Sequence, residues 1–542
     1  MTQERKKLDT VLFALIFVLI IAYLCGIFSV NFGGRFAHDY DVYSDAMVAK
    51  FIGSEGTLFP EKWHFGNQIY VVATPALAGL LYPVMGDAYS ALAMASCLMT
   101  LLTLGSFFWC VKPFFSKSSV LIGLLVLVGG ANIGLSAHAD LEGLQLVYTL
   151  ASYYACYIIG IFLTLGVYNR LFAHQSCNKV VLLVVPALNF ALGMQSLREM
   201  LVLNLPLFAV CVLHAILRGV VKKESIRSHR KAFVFAIIAL LANLLGIVFS
   251  KVLAANGVYT QADILQKPQA QLWSNIVLAG SAFKEFIGLI PPYSSFSAFR
   301  FVVSALSVGL VAAALLLSVV EYFKKTRIVP VLNNLFFAVS LAAVFFAGLL
   351  VLEVRSVYYF CWYPLLSFSI MYLLDSKKSP AVLKKLLVIA LIVISLVNYG
   401  FLFVGSYKDI SASKGFYEEV AERLQEDGIR YIYGDAWSEM SMVATASKDE
   451  ITYSILSFSG NPDDLWDRLP YLYSEEWFEP ENYKDAYIIL THETLGALMN
   501  YYSEEYSSVF MENLELVHEI SANNKTSYLY KGTEKMYQDM SN

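Results

Sequence analysis

Between residues 38 and 45 the sequence reads His38-Asp39-Tyr40-Asp41-Val42-Tyr43-Ser44-Asp45, three carboxylates and an imidazole in one short stretch. A carboxylate in such a place could take the proton of a hydroxyl as general base, or help hold a divalent cation. Asp39 and Asp41 point apart in an extended segment, whereas Asp41 and Asp45 share a face if a helix begins here. The plainer reading makes Asp41 or Ser44 the cap of a surface helix running through Ala46-Met47-Val48-Ala49. A second acidic group follows at His138-Ala139-Asp140-Leu141-Glu142. Cations stand at Lys62 and His64, at Arg198 beside Glu199, and at Arg355 close to Glu353. A guanidinium stays charged and offers paired donors, which suits a phosphate; the alternative is an Arg–Glu pair that pins helix ends.

These residues must be positioned by membrane-spanning elements. The 542 residues are 57% hydrophobic and 15% charged, where soluble domains carry about 25% charged residues. Apolar runs of spanning length recur at 11–30, 88–111, 118–136, 145–169, 180–197, 200–217, 232–254, 301–320, 331–353, 356–374 and 386–404, about eleven in all. The stretch 69–86 is apolar but short, with Pro75 and Pro83, and reads as interfacial or re-entrant.

Loop charges set the topology. With residue 1 inside and 69–86 not crossing, the inner loops collect Lys112, Lys117, Arg170, Lys179, the run Arg218 to Lys231, Lys324, Lys325, Arg327 and Lys377 to Lys385. The longer outer loops hold fewer cations, as the positive-inside rule expects. The N-terminus is then cytoplasmic and the C-terminal part outside. On that topology Asp41, Asp140, Lys62, Arg198 and Arg355 share the outer face. None of the seven cysteines falls in an outer loop or the tail, so no disulfide framework is expected.

Residues 1–404 therefore form a membrane domain with outer loops at 31–68 and 255–300, the second carrying an amphipathic piece from Trp273 to Leu289. Residues 405–542 read as an extracytoplasmic α/β domain. Lys414 to Asp427 has helical spacing and ends at Gly428; β-like runs follow at 429–433, 451–456, 486–490, 514–520 and 526–531, the last two joined by a hairpin turn. About 26 acidic against about 10 basic residues from position 405 argue against a nucleic-acid partner.

The sequence resembles the GT-C superfamily of membrane glycosyltransferases. The likeness rests on a first span followed by the acidic stretch Asp41 to Ala49, then a Gly- and Pro-containing segment to Trp63 and Gly66. It rests also on Glu353-Val354-Arg355-Ser356-Val357-Tyr358-Tyr359, which runs into Tyr363-Pro364-Leu365-Leu366. The resemblance implies transfer of a sugar from a polyprenyl-phosphate donor to a glycan or lipid acceptor of the cell envelope, with inversion. It implies Asp41 or Asp39 as catalytic base, and Arg355, Arg198 and Lys62 on the lipid phosphate. It allows a divalent cation, Mg or Mn, with Asp39, Asp41, His138 and Asp140 as ligands. A flippase of lipid-linked saccharides would instead need ionisable groups mid-span or repeated halves with broken helices. A non-catalytic envelope scaffold would use the acidic tail alone.

Overall fold

The structure, a computed structural model, describes residues 3–33, 40–130, 154–221, 229–262, 271–289, 298–324, 327–351, 354–400, 403, 406–435, 437–469, 471–483, 485–522 and 524–541. Among them, nine helices are long and apolar enough to cross a bilayer: Val11–Gly33, Ala88–Val111, Ala155–His174, Met200–Gly219, Arg230–Ala255, Phe301–Phe323, Ile328–Leu350, Ser356–Asp375 and Ala381–Tyr399. Shorter apolar helices cover Thr74–Met85, Lys117–Gly129 and Lys179–Gln195. The chain is a polytopic, mainly helical membrane protein with a strand-containing C-terminal part.

Helix α1 spans Gln3–Gly33, α2 Tyr40–Glu55, α3 Thr74–Met85 and α4 Ala88–Val111. At about 1.5 Å per residue, the 12-residue α3 reaches about 18 Å, short of a hydrocarbon core of about 30 Å. It starts on Pro75, ends on Gly86 in the left-handed conformation, and leaves Leu80 and Val84 exposed. The expected span 118–136 departs from a straight helix. Its α-helix ends at Leu125, a π turn follows, and Gly129 at φ 112 turns the chain out of helical geometry.

Helix α2 is not the surface helix expected. It begins at Tyr40, so Asp41 and Ser44 lie inside it rather than at its cap, and Ala46 to Ala49 are buried against α3 and α4. The small side chains of Ala46 and Ala49 let the helices approach closely there. Asp41 and Asp45 fall at i and i+4, and Asp45 is fully buried.

The closest helix crossing lies between Lys179–Gln195 and Arg230–Ala255. A Cβ on Gly193 would come within 2.1 Å of the Asn243 carbonyl oxygen, and one on Gly246 within 2.0 Å of the Phe190 carbonyl oxygen. Asn243 donates to the Asn189 carbonyl at 3.0 Å, and Asn189 to Thr164 Oγ1 at 2.9 Å. Small residues with polar cross-links are the usual glue between helices in lipid. Gly246→Val must push backbone against backbone, so thermal unfolding in detergent is expected to show destabilisation of about 1–3 kcal/mol or more. Wild-type stability in that variant would contradict the crossing.

Cations expected on the inner side gather at one end of the bundle. There Arg327 faces Asp375 at 3.8 Å, Lys378 faces Glu321 at 3.7 Å, and Lys231 donates to the Gln175 carbonyl at 2.9 Å. The C-terminal part sits at the other end.

Nine strands are described: β1 Trp63–Phe65, β2 Thr260–Gln261, β3 Tyr431–Gly434, β4 Thr452–Asn461, β5 Asp464–Arg468, β6 Tyr473–Ser474, β7 Tyr487–Thr491, β8 Leu514–Ala522 and β9 Lys525–Gly532. Six form a mixed sheet in the order β5-β4-β3-β7-β9-β8, with β3 parallel to β4 and β7. The expected runs become β3, β4, β7, β8 and β9, and the expected tail helix runs Ser406–Glu426 ahead of Gly428 at φ 73. The other three strands form a small sheet, β2-β1-β6, with one strand from each expected outer loop and one from the tail.

Candidate functional site

Arg198 is the best-held cation at this end of the bundle. The helix Lys179–Gln195 stops at Ser196, which turns to extended backbone and leads directly to Arg198. The Arg198 guanidinium donates to Gln68 Oε1 at 2.5 Å and to Asn67 Oδ1 at 3.4 Å. Gln68 Oε1 also accepts from the Tyr157 hydroxyl at 3.1 Å, and Gln195 Nε2 donates to that hydroxyl at 3.1 Å. Gln195 Oε1 in turn accepts from the backbone N–H groups of Val71 and Val72, each at 3.2 Å. A chain of neutral amides and a phenol thus fixes the guanidinium and ties it to the segment after β1.

The rings of Tyr154 and Tyr358 flank the same guanidinium, with centroids 5.6 and 5.8 Å away. Among the described residues no carboxylate lies within ion-pairing distance of it. The Arg–Glu pairing considered from sequence does not form at this position. Glu199 is fully buried on the other side, where a Cβ on Gly160 would meet its Oε1 at 2.6 Å; neither of its carboxyl oxygens has a hydrogen-bond partner among the described residues.

Arg198 lines a cavity of about 560 Å³. Its wall includes the apolar Leu201, Val202, Leu205, Ile247, Val344 and Ala347 and the polar Asn67, Arg198, Lys251 and Gln261. Leu197, Leu205 and Val351 line it while remaining exposed on the bundle surface, so the cavity is open towards lipid. Tyr259, also in the wall, is held by Ser250 through their hydroxyls at 2.7 Å. Arg355 is exposed, one residue after the lining Val354, and Tyr154 lies within electrostatic reach of both Arg355 and Arg198.

Six segments therefore meet here: Asn67 after β1, Tyr154 at the start of its helix, Gly193 to Leu205, Ile247 to Ala262, Val344 to Val351, and Val354 to Phe360. Sequence reasoning gave no site role to Lys251, Tyr154 or Tyr358. Lys251 sits near the outer end of an apolar run, and that position was the available signal.

Lys62 is placed elsewhere. It pairs with Glu479 of the C-terminal part at 2.7 Å, which raises its pKa, and it does not line the cavity. Asp41 is the second residue of α2, whereas Asp39, His138, Asp140 and Glu353 lie outside the described residues. Among the described residues no group of three His, Cys, Asp or Glu side chains is placed to hold a metal ion.

His64, on β1, lies outside the membrane-spanning helices. Its Nε2 donates to Glu475 Oε1 at 2.8 Å, and its ring stacks on Tyr473 at 4.4 Å. Burial pushes the imidazole below its usual value, with Glu475 pulling the other way and Arg468 adding to the push. The docked state therefore favours neutral His64, while a released imidazole takes up its proton near pH 6.5. The contact is complete above that pH and weakens as pH falls below it. Proteolysis between the two parts is expected to quicken from pH 7.5 to 5.5 in the wild type and less in His64→Gln; equal pH responses would contradict this.

No family model and no curated protein matches the sequence. Two of the solved structures that match cover nearly the whole chain. The crystal structure of ArnT from Cupriavidus metallidurans bound to undecaprenyl phosphate is 10% identical, with TM-score 0.50, covering 96% of this chain and 98% of that one. The apo state of the same protein is 11% identical, with TM-score 0.50, covering 94% and 97%. The fold is GT-C-like. The likeness in fold includes both the helical body and the C-terminal part, since the matched share leaves neither out.

Proposed function

We propose that this GT-C-like protein is a membrane glycosyltransferase that takes a sugar from a polyprenyl-phosphate donor to a cell-envelope acceptor on the outer face. The observation that carries the reading is Arg198. It is a fixed guanidinium with no carboxylate partner among the described residues, lining a largely apolar, lipid-open cavity. A guanidinium so placed suits an anionic ligand, and the apolar wall suits a hydrocarbon tail. A lipid phosphate supplies both. That one ArnT structure holds undecaprenyl phosphate supports the same ligand class here.

In this reading the phosphate lies between Arg198 and Lys251, with Arg355 at the rim. Asp41 takes the proton of the acceptor hydroxyl as its oxygen attacks the anomeric carbon from the face opposite the phosphate. The sugar–phosphate bond breaks with its electron pair on the phosphate oxygen, and the cations stabilise that charge. The leaving group is already a weak base, so no strong general acid is required.

Native mass spectrometry of the protein in nanodiscs, titrated with undecaprenyl phosphate, tests the ligand. Saturable binding to the wild type and clear weakening in Lys251→Ala are expected. Equal binding in both would remove the phosphate from this cavity.

A further inference from the structure

The C-terminal domain meets the membrane part in three independent ways, all at the same place. Strand β6 pairs antiparallel with β1, Trp63 opposite Ser474 and His64 opposite Tyr473. Beside it, Trp477 packs edge-on against Trp63 at 5.7 Å and at a tilt against Phe51 of α2 at 6.3 Å, with both tryptophans buried. Third, Lys448 and Asp449 are consecutive non-glycine residues in the left-handed region, at φ 56 and 73. Such backbone persists where surrounding contacts hold it.

That turn delivers Asp449 to the membrane part. Its Oδ2 accepts from the Ala88 N–H at 2.7 Å, at the first residue of α4, and its carbonyl accepts from Lys50 Nζ of α2 at 3.2 Å. A carboxylate suits a helix N-terminus because the exposed N–H groups and the helix dipole favour negative charge there. Lys50 and Phe51 belong to the helix that begins with Tyr40 and Asp41. Trp63 belongs to the strand that leads, two residues beyond its end, to Asn67 and Gln68, the acceptors of Arg198.

We infer that the C-terminal domain is an internal brace. It fixes α2 and β1 through Asp449 and Trp477, which act as positioning residues, and β1 leads on to the acceptors of Arg198. The catalytic consequence rests on the transferase reading above. A domain that only captured acceptor would touch the membrane part without need of a strained turn capping α4.

Two variants at one position separate the brace from general damage. Asp449→Gly keeps the left-handed backbone without strain and removes the carboxylate. Asp449→Asn tolerates the same conformation and retains an acceptor for Ala88. Full-length protein in nanodiscs is compared for amide exchange over residues 40–68 and for sugar transfer from undecaprenyl-phosphate sugars. The glycine variant should exchange faster over α2 and β1 and lose roughly tenfold in kcat, with its KM for the donor unchanged. The asparagine variant should stay close to the wild type, and Trp477→Ala should follow the glycine variant. Faster exchange with unchanged kcat would overturn the positioning role, and unchanged exchange in both Asp449→Gly and Trp477→Ala would overturn the brace itself. Should the wild type transfer no sugar from any such donor, the proposed function fails and the exchange result alone decides the brace.

Discussion

Asp41→Asn is expected to lower sugar transfer by about 10²- to 10⁴-fold, the usual contribution of a positioned general base. The argument runs from backbone to chemistry. Helix α2 starts at Tyr40, which places Asp41 in its first turn, and α2 is held by α3, α4 and the C-terminal domain. A carboxylate on a rigid element can be aimed at an acceptor hydroxyl, whereas an amide of the same shape cannot accept its proton. Binding of undecaprenyl phosphate should be retained, because the lipid phosphate is assigned to Arg198 and Lys251. Asp39 shares the motif, so the double variant Asp39→Asn/Asp41→Asn is the control. Full transfer in the double variant would remove both aspartates from the reaction. Transfer that survives Asp41→Asn and disappears only on replacing Asp39 would move the base by two residues.

The second large effect concerns Arg198. Arg198→Ala removes the guanidinium held by Gln68 and Asn67 and leaves those amides without their donor. A hydrogen bond to a charged group contributes about 1.5–3 kcal/mol, so undecaprenyl phosphate should bind roughly 10- to 100-fold more weakly. Transfer should fall further than binding, because charge grows on the phosphate as the sugar leaves. Arg198→Lys is the informative partner. A lysine keeps the charge but has no planar fork, and it cannot serve Gln68, Asn67 and a phosphate together. It should recover part of the binding and little of the transfer. Unchanged lipid affinity in Arg198→Ala would assign the cavity to another ligand.

The membrane-spanning architecture was legible because long apolar runs are a property of sequence. The same holds for the proline-interrupted stretch 69–86, whose helix α3 is too short to span. Strands β3, β4, β7, β8 and β9 were legible from their β-branched and aromatic runs. Strands β1, β2 and β6 were not, since pieces of two or three residues carry no periodicity, and their pairing joins positions near 64, 260 and 473. The ends of spans were also hidden where backbone geometry decides them. Gly129 leaves the helix through a conformation that hydropathy does not report.

At the candidate site, Arg198 was named from its residue type and its position at a span border, and it lines the cavity. Lys251 was given no site role because its role depends on a neighbouring helix bringing it to the same cavity. Lys62 was assigned to the phosphate for its charge, yet Glu479, hundreds of residues later in the chain, is its partner. The acidic residues of the C-terminal part served only to argue against a nucleic-acid partner, but the carboxylates of Glu475, Glu479 and Asp449 dock it onto His64 of β1, Lys62 just before it and the start of α4.

The most direct measurement is transfer itself. Purified wild-type protein in nanodiscs is supplied with undecaprenyl-phosphate sugars and an envelope glycan and lipid extract, with Asp41→Asn alongside. Mass spectrometry follows both the donor and the acceptors. Release of undecaprenyl phosphate matched by a sugar mass gained on an acceptor, present in the wild type and lost in the variant, is the expected result. An intact donor under all conditions, or equal release in both proteins, would contradict the account.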